Sequence, residues 1–233
     1  MEPTPTTLIT GADRGIGLGL VRHYVGQGSN VIATTRRDRP GAALAEIDET
    51  HGHLRVMSLD AGDEASIHAF GERLVAGGIT LDLVINNAGV SLGEPFGDWS
   101  FDHFTRHFHV NTVGPSMVVQ AIKPSLKEGS KVIQMTSGMA SAELNLGPDN
   151  PLDAYAVSKC GLNILTRRLA EKLRPEGIAI VAMSPGWVQT DMGGEGATHT
   201  VEAAVATMTG TIARLGMDDT GAFVGPEGKP CPW

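Results

Sequence analysis

Short β-rich apolar segments alternate with segments of helical periodicity along almost the whole chain, and this alternation constrains the fold more than any other feature. Strands are predicted at residues 7–10, 30–34, 54–59, 81–86, 131–136 and 178–183, with a short one near Phe223. Helices are predicted between them at residues 16–27, 41–50, 65–76, 101–126, 154–173 and 201–215. Such alternation predicts right-handed crossovers, and therefore a parallel sheet covered by helices on both faces.

The length of the chain suits one such α/β domain, because 233 residues can bury a sizeable core. Runs such as LDLVIN and KVIQM are typical of strands buried on both faces. We see no internal repeat, low-complexity tract or linker in the sequence. We therefore expect residues 1–233 to form a single domain, a doubly wound parallel sheet of about seven strands with helices on both faces.

Charge and apolar content argue against several classes of partner. The formal net charge is −8 without a long basic run, so neither nucleic acid nor an anionic membrane surface is expected to bind. No apolar stretch reaches the length of a membrane-spanning helix, and the start MEPTPTT lacks the features of a signal peptide. Cys160 and Cys231 make no disulfide or metal pattern, so we expect a cytoplasmic protein.

A glycine-rich turn, TGADRGIG, follows the first predicted strand directly and opens the first helix. Free backbone N–H groups and the positive end of a helix dipole can hold a dinucleotide pyrophosphate at such a place. Gly11 would make the turn, Gly15 would let the backbone approach the phosphates, and Gly17 would let helix and strand pack. The alternative interpretation is an ordinary turn between a strand and a helix. The position of TGADRGIG directly after the first predicted strand makes this interpretation weaker.

Four motifs occur together in this chain: TGADRGIG, NNAG at residues 86–89, YAVSK at 155–159 and SPGWVQTDM at 184–192. Their order and spacing resemble the short-chain dehydrogenase/reductase family over nearly the whole chain. The resemblance implies a single-domain Rossmann fold in which residues 1–233 form one dinucleotide-binding and catalytic domain. The short segment GGEGATHT and the ending GAFVGPEGKPCPW are similar to those of small sniffer-like and C-factor-like carbonyl reductases.

Charge at the end of the second predicted strand indicates which nicotinamide cofactor binds. Thr35 stands where NAD-preferring relatives carry an acidic residue, which would accept hydrogen bonds from the ribose hydroxyls and repel a 2′-phosphate. Arg36 and Arg37 follow it, and Arg14 lies inside the glycine turn. Because guanidinium groups match phosphate oxygens in geometry and charge, we predict NADP(H), with Arg36 and Arg14 as the main phosphate partners. A single arginine could instead be an ordinary solvated charge.

The resemblance assigns further residues to the cofactor site. Asp60 matches the position that meets the adenine amino group, although it could instead cap the following helix, a role for which Asp63 competes. Asn86 could line the cofactor or brace the sheet. The complete predicted set is Gly11, Arg14, Gly15, Ile16, Gly17, Arg36, Asp60, Asn87, Ala88, Gly89, Tyr155, Lys159, Pro185, Gly186, Val188 and Thr190.

Tyr155 and Lys159 lie four residues apart in a predicted helix and therefore share one face. A nearby ammonium favours the phenolate of a tyrosine, whose ordinary pKa is about 10. The resemblance makes Tyr155 the proton donor and acceptor, and it makes Ser137 the serine that binds the substrate oxygen, with Thr136 as a neighbouring alternative. Asn111 matches the asparagine that kinks its helix and holds a water leading to Lys159; alternatively, it is an interior polar residue that bonds backbone.

Less specific signals complete the expected site. Met139, Leu144, Trp187 and Met192 are predicted to form an apolar substrate pocket beside a short, glycine-rich lid. His103 and His107 are one helical turn apart, a spacing that could bind a metal. The resemblance implies no metal, so we expect a helix surface there, which could lie at a subunit contact.

The residues and the resemblance thus predict an NADPH-dependent carbonyl reductase of small aldehydes or ketones, in which Ser137 and Tyr155 hold the substrate, and Lys159 tunes Tyr155 and holds the nicotinamide ribose. Two alternatives stay open: an NADP-binding signalling or regulatory protein with little turnover, and an alcohol dehydrogenase that works mainly in the oxidative direction. Because relatives pair through the two long helices, a homodimer or homotetramer is expected.

Overall fold

The computed structural model describes residues 4–36, 41–50 and 52–233. Its strands are β1 (Thr6–Ile9), β2 (Asn30–Thr35), β3 (Leu54–Ser58), β4 (Leu81–Asn86), β5 (Leu126–Met135), β6 (Ala179–Met183) and β7 (Phe223–Val224). They form one parallel sheet in the order β3-β2-β1-β4-β5-β6-β7. The predicted doubly wound parallel sheet is therefore confirmed.

Helices connect these strands. They are α1 (Gly15–Gly26), α2 (Ala42–Thr50), α3 (Glu64–Ala76), α4 (Phe101–Phe108), α5 (Gly114–Ile122), α6 (Asp153–Leu173) and α7 (Val201–Arg214). Short 3₁₀ turns lie at Lys123–Ser125, Gly138–Ala140, Arg174–Glu176 and Met217–Asp219. Among the described residues, no helix is both long and apolar enough to cross a membrane.

Two apolar cores lie on the two faces of the sheet, as expected when strands are buried on both sides. One packs α1, α2 and α7 against the sheet through residues such as Leu20, Leu44 and Met208. The other packs α3, α5 and α6 through residues such as Phe70 and Val118. Because the sheet is held from both faces, the loops at its carboxyl edge are carried by a rigid support.

Strand order reverses between β1 and β4, since the chain runs outward through β2 and β3 and then returns to the other side of β1. Ligands of open α/β sheets bind in the crevice outside the carboxyl ends of the strands at such a switch point. The glycine turn follows β1 and the NNAG segment follows β4. The fold therefore places two of the four motifs on either side of one crevice.

The predicted helix over residues 101–126 is wrong in two respects. It is interrupted by a π-helical turn at His109–Val113, and it ends at Ile122. Pro115 lacks an N–H and so cannot donate to the carbonyl of Asn111 four residues earlier, which disrupts the regular α-helical pattern there. Pro124 has the same effect at the end of the helix, where a 3₁₀ turn takes over.

Strand β5 begins five positions earlier than predicted, at Leu126 rather than Lys131. Leu126 pairs with Leu81, whereas Lys131 pairs with Leu83, so the register shifts between the two pairs. Gly129 lies within the shifted stretch at φ +85°, a left-handed conformation that glycine adopts without strain. The polar KEGSK stretch therefore belongs to an irregular strand that its hydrophobic pattern does not reveal.

Candidate active site

The glycine turn packs directly against the NNAG segment. The Asn87 side chain donates hydrogen bonds to the carbonyls of Thr10 and Gly11, each at 3.0 Å. The Thr10 hydroxyl accepts one from the Ala88 N–H at 3.0 Å. Gly11 has φ +64°, and a Cβ there would lie 2.8 Å from the Ala88 Cα. The two segments can approach this closely because Gly11 has no side chain.

The start of α1 has the properties of an anion site. A Cβ on Gly17 would overlap the carbonyl oxygen of Gly11, so this position also requires glycine. Arg14 precedes the helix with an extended backbone. In this described part of the chain, no side chain caps the start of α1, and its first turn contains no acidic residue. Its first N–H groups have no partner within the helix, and the helix dipole is positive there. Ile16 packs partly against the core and fixes this turn.

Arg36 lies at the rim of a cleft of about 370 Å³ that also contains Asp60 and Gly62 on one side and Arg106 on the other. Its side chain is exposed. This cleft adjoins the end of β2, where the adenosine end of a dinucleotide would lie. Arg37, the weaker predicted phosphate partner, lies outside the described residues.

Arg14 is already paired in the structure. Its Nη1 lies 2.8 Å from Oδ2 of Asp191, and both side chains are largely exposed, at 74% and 77%. The ion pair joins the glycine turn to the segment that follows β6. Sequence reasoning missed Asp191, because nothing in the TDM run indicates a partner so distant in sequence.

The structure shows which of Asp60 and Asp63 caps the helix α3. Asp63 is the N-cap of α3, and its carboxylate accepts a hydrogen bond from the Ala65 N–H at 3.1 Å. Asp60 Oδ1 accepts one from the Gly62 N–H at 2.9 Å instead, which holds the turn beside the cleft. Asp60 is thereby left beside the cleft and is not used as a helix cap.

Asn86 braces the sheet. It is buried, and its side-chain amide donates to Gln134 Oε1 at 3.0 Å and to the Pro115 carbonyl at 3.2 Å. Of the NNAG residues, Asn87, Ala88 and Gly89 therefore face the glycine turn or the catalytic residues, whereas Asn86 ties β4 to β5 and α5.

Ser137, Tyr155 and Lys159 meet at the carboxyl end of β5. The Ser137 side chain lies close enough to the Tyr155 hydroxyl to lower its pKa, so these two side chains lie together. Lys159 Nζ lies 5.9 Å from the centroid of the Tyr155 ring and donates to the Met135 carbonyl at 2.7 Å. Thr136, the alternative to Ser137, points elsewhere, with its hydroxyl 3.4 Å from the Lys159 carbonyl.

Burial controls the protonation of these groups. It raises the pKa of Tyr155 above its ordinary value of 10, and the nearby Ser137 side chain acts in the opposite direction. Burial also lowers the pKa of Lys159 from 10.5 to about 8. At neutral pH the phenol is therefore protonated and most of the lysine still carries its charge.

Asn111 is fully buried in the π-helical turn. Its Oδ1 accepts from the Val90 N–H at 2.8 Å, and its Nδ2 donates to the Val90 carbonyl at 2.8 Å and to Ser158 Oγ at 3.0 Å. A Cβ at Gly89 would lie 3.2 Å from Asn111 Oδ1 and 3.5 Å from Lys159 Nζ, so these two groups flank Gly89. Asn111 therefore lies in the turn that interrupts the helix and bonds backbone with its side chain, while the water leading to Lys159 stays a prediction.

The segment after β6 forms a compact rim. Gly186 has φ +79°, Pro185 is partly exposed and Val188 is buried. Thr190 Cγ2 would lie 3.2 Å from a Cβ on Gly15, which places Thr190 beside the glycine turn.

Hydrogen bonds tie this rim to itself. Thr190 Oγ1 accepts from the Gly193 N–H at 3.1 Å, and the Trp187 indole donates to the Gly193 carbonyl at 2.8 Å. Gln189 bonds the Ala197 carbonyl through its side chain at 3.0 Å and the His199 carbonyl through its N–H at 2.8 Å. The expected short lid is therefore a closed loop whose ends are joined.

The four predicted pocket residues differ in exposure. Met139 is partly buried, whereas Leu144, Trp187 and Met192 are 45%, 55% and 49% exposed. Leu146, which sequence reasoning missed, lies against Gly138, because its Cδ1 would be 3.1 Å from a Cβ there. The hydrophobic pattern could not single it out in the irregular stretch LNLGPDNP.

The histidines form a structural network. His107 is fully buried; its Nδ1 lies 2.9 Å from the His103 carbonyl, and its Nε2 accepts from the Leu92 N–H at 3.1 Å. His103 Nδ1 lies 3.8 Å from Glu94. Within the described ranges, no group of three or more His, Cys, Asp or Glu side chains could hold a metal ion.

The fold and site together define a Rossmann-type protein with a crevice at the switch point of its sheet and, near it, a partly buried serine and tyrosine and a buried lysine. A family model described as short chain dehydrogenase matches residues 5–200. The chain belongs to this family of oxidoreductases, which confirms the resemblance carried by the four motifs.

Individual relatives agree with this assignment. The C-signal protein of Myxococcus xanthus is 38% identical over 170 residues, which cover 72% of this chain and all of that protein. The 1-hydroxy-2-glutathionyl-2-methyl-3-butene dehydrogenase of Rhodococcus sp. strain AD45 is 30% identical over 98% of this chain and 99% of its own length. An NADPH-bound carbonyl reductase from chicken fatty liver superimposes with a TM-score of 0.90 at 34% identity, covering 99% of each chain. The expected likeness to small carbonyl reductases and C-factor-like proteins is confirmed.

Proposed function

We propose that this chain is an NADP(H)-dependent oxidoreductase that transfers hydride between NADP(H) and a carbonyl or alcohol substrate, acting as an aldehyde or ketone reductase. The observation that carries the proposal is the proximity of the Ser137 and Tyr155 side chains, with the buried Lys159 ammonium 5.9 Å from the centroid of the Tyr155 ring. A protein that only bound a dinucleotide would not need these three groups in one place.

The residues at the glycine turn fit a dinucleotide. Gly11 and Gly17 keep backbone close to the crevice without a side chain, and the open start of α1 favours an anion. Arg36 and Asp60 lie at one cleft, so a guanidinium is available for a 2′-phosphate and a carboxylate for an adenine amino group. The chicken carbonyl reductase, of nearly identical fold, binds NADPH. These observations favour NADP(H) over NAD(H).

The catalytic role of the chain's own residues follows from their hydrogen bonds. With NADP(H) bound, the cofactor would supply the hydride that is exchanged with the substrate carbon. Ser137 and Tyr155 present two hydroxyls to one substrate oxygen, and Tyr155 gives that oxygen its proton in the reductive direction. The Lys159 ammonium stabilises the phenolate that remains. Asn111 would carry the relay that returns a proton to Lys159.

Tyr155 can serve both reaction directions, as the proton donor in reduction and as the proton acceptor in oxidation. Burial raises the pKa of its phenol, so the hydroxyl is protonated and ready to donate at neutral pH. Oxidation of an alcohol would need the phenolate first. The Rhodococcus relative is named a dehydrogenase, which supports the oxidative alternative.

The proposal is tested by NADPH consumption against a panel of aldehydes, ketones and quinones, repeated with NADH. We expect turnover with NADPH for several carbonyls and a clear preference for NADPH over NADH. Ser137→Ala should lower kcat while NADPH still binds, and Thr136→Val is the matched control that should retain turnover. Absence of turnover with every carbonyl, and with alcohols plus NADP⁺, would overturn the proposal.

A second candidate is an NADP-binding signalling or regulatory protein, which the 38% identity to the C-signal protein favours. The two candidates differ in the effect of Tyr155→Phe, because a binding role would survive that change and a catalytic role would not. We also propose that residues 1–233 act as one domain, that Met139, Leu144, Trp187 and Met192 line the substrate pocket, and that the protein is a cytoplasmic homodimer or homotetramer.

A further inference from the structure

Trp233 is held between two elements by its ring. The ring centroid lies 5.7 Å from that of Phe223 in β7, and the Arg167 guanidinium lies 4.9 Å from the indole centroid. Residues 229–233 run back along β7, where Gly225 N–H donates to the Lys229 carbonyl and Cys231 N–H donates to the Phe223 carbonyl, each at 2.8 Å. The indole is therefore placed by a strand on one side and by α6 on the other.

The main chain of Trp233 contacts a third element, the loop that follows β5. Its oxygen accepts a hydrogen bond from the Glu143 N–H at 2.9 Å and a longer one from Ser141 Oγ at 3.4 Å. Ser141 is buried, and its hydroxyl also accepts from the Leu144 N–H at 3.0 Å. Trp233 thus anchors the residues just before the exposed leucines at the site.

Hydrogen bonds connect this anchored loop to Ser137. Ser137 Oγ accepts from the Met139 N–H at 3.2 Å, and the Ser141 N–H donates to the Gly138 carbonyl at 3.1 Å, so one 3₁₀ turn joins Ser137 to Ser141. On the other side, Arg167 belongs to the same helix as Tyr155 and Lys159. Trp233 therefore bridges the two elements whose relative position sets the contact between Ser137 and Tyr155.

We propose that Trp233 is a positioning residue, which holds the loop 141–146 against α6 and thereby fixes the substrate-side wall of the catalytic site. The activity arm of the inference rests on the proposed function. Removing the indole leaves the main-chain oxygen in the chain but takes away the aromatic and cation–π contacts that place it. The loop then loses its anchor at Glu143, while the glycine turn and the cleft at Arg36 keep all of their contacts.

The test compares Trp233→Ala and Trp233→Phe with the unchanged protein. We expect amide hydrogen exchange in residues 141–145 to become about tenfold faster in Trp233→Ala, because local opening of this loop becomes easier. Exchange in β1 and α1 should stay unchanged. Trp233→Phe retains an aromatic ring for Phe223 and Arg167 and should recover most of the protection. Trp99→Ala, at an exposed tryptophan outside this cluster, is the matched control and should leave residues 141–145 protected.

Kinetics add a second readout. For a bulky aromatic ketone, KM should rise about fivefold in Trp233→Ala with a smaller change in kcat, whereas for a small aldehyde the KM should change little. The Kd of NADPH should stay within about twofold. Unchanged exchange at 141–145, or an equal loss in NADPH affinity and in both substrates, would overturn the inference. If the unchanged protein reduces no carbonyl, the proposed function fails, and the exchange experiment alone still decides the role of Trp233.

Discussion

The side chains of Ser137 and Tyr155 lie together, close enough for Ser137 to lower the pKa of the phenol, although one residue follows β5 and the other lies in the first turn of α6. Two hydroxyls that meet in this way can bind the same substrate oxygen from two directions. The contact depends on how the loop after β5 and the helix are packed, so it is a property of the fold as much as of the two residues.

The first prediction concerns the phenol. Tyr155→Phe should lower kcat by about 10²–10⁴-fold, because the proton donor is lost while the ring that packs beside Lys159 remains. NADPH affinity, measured by fluorescence or calorimetry, should be nearly unchanged. Tyr24→Phe is the matched control, since Tyr24 is partly buried and burial raises its pKa to about 12, but it lies in α1. Turnover retained in Tyr155→Phe would refute the catalytic assignment.

The second prediction concerns cofactor choice. Arg36→Glu should weaken NADPH binding far more than NADH binding, by about 10²-fold, because it replaces a phosphate partner by a charge that repels the phosphate. Competition by 2′,5′-ADP against 5′-AMP gives the same comparison without turnover. Arg73→Glu is a suitable control, since Arg73 lies in α3 and contacts the Ser58 carbonyl. Equal losses for both cofactors would contradict the role of Arg36.

The third prediction concerns the ion pair between Arg14 and Asp191. Asp191→Asn should free Arg14 for the cofactor and raise NADPH affinity by less than about fivefold, because an exposed ion pair contributes about 1 kcal/mol or less. Raising the salt concentration should reduce the difference in NADPH affinity between Asp191→Asn and the unchanged protein. A weaker affinity in Asp191→Asn would show that Asp191 positions Arg14 for binding and does not compete for it.

The fourth prediction concerns His107 and pH. Burial is the largest cause that lowers its pKa below 6.5, and its Nε2 must stay unprotonated to accept from Leu92. The unfolded chain therefore binds more protons than the folded protein just below pH 6.5, so the free energy of unfolding should fall as the pH drops through that value. The loss is at most about 1.4 kcal/mol per pH unit for one group.

The measurement is chemical denaturation between pH 7.5 and about 5, a range chosen to span the ordinary pKa of histidine. His107→Gln should be less stable at pH 7 and should show a flatter pH dependence. His68→Gln is the control, because 59% of the His68 side chain is exposed. Burial also lowers the pKa of His23, so His23 adds a pH dependence of the same sign to the free energy of unfolding of every variant. A pH dependence unaltered by His107→Gln would exclude this histidine as its source.

Much of the fold was predictable, because it follows from local patterns. Short apolar runs between segments of helical periodicity located each strand of the sheet. The resemblance placed a kink at Asn111, where the π-helical turn lies, but the end of the helix at Ile122 was missed because it depends on Pro124. The early start of β5 escaped detection because Leu126 pairs with Leu81 through a shifted register that polar residues interrupt.

The site shows the same division between local and distant information. The spacing of Tyr155 and Lys159 predicts a shared helix face, and in the structure the Lys159 ammonium lies 5.9 Å from the centroid of the Tyr155 ring. The partners that hold these groups could not be read from spacing, because Lys159 binds a main-chain carbonyl and Asn111 binds Val90 and Ser158. Likewise, the pairing of Arg14 with Asp191 depends on how two distant loops meet.

The self-bonded rim between Trp187 and His199 has a practical consequence for altering this protein. Because hydrogen bonds already hold the backbone of this rim, it loses little conformational entropy when a substrate binds. Selectivity among substrates would then depend on the side chains of the rim. Substituting larger or smaller side chains at Trp187 or Met192 should then change the substrate preference according to shape, without altering the backbone of the rim.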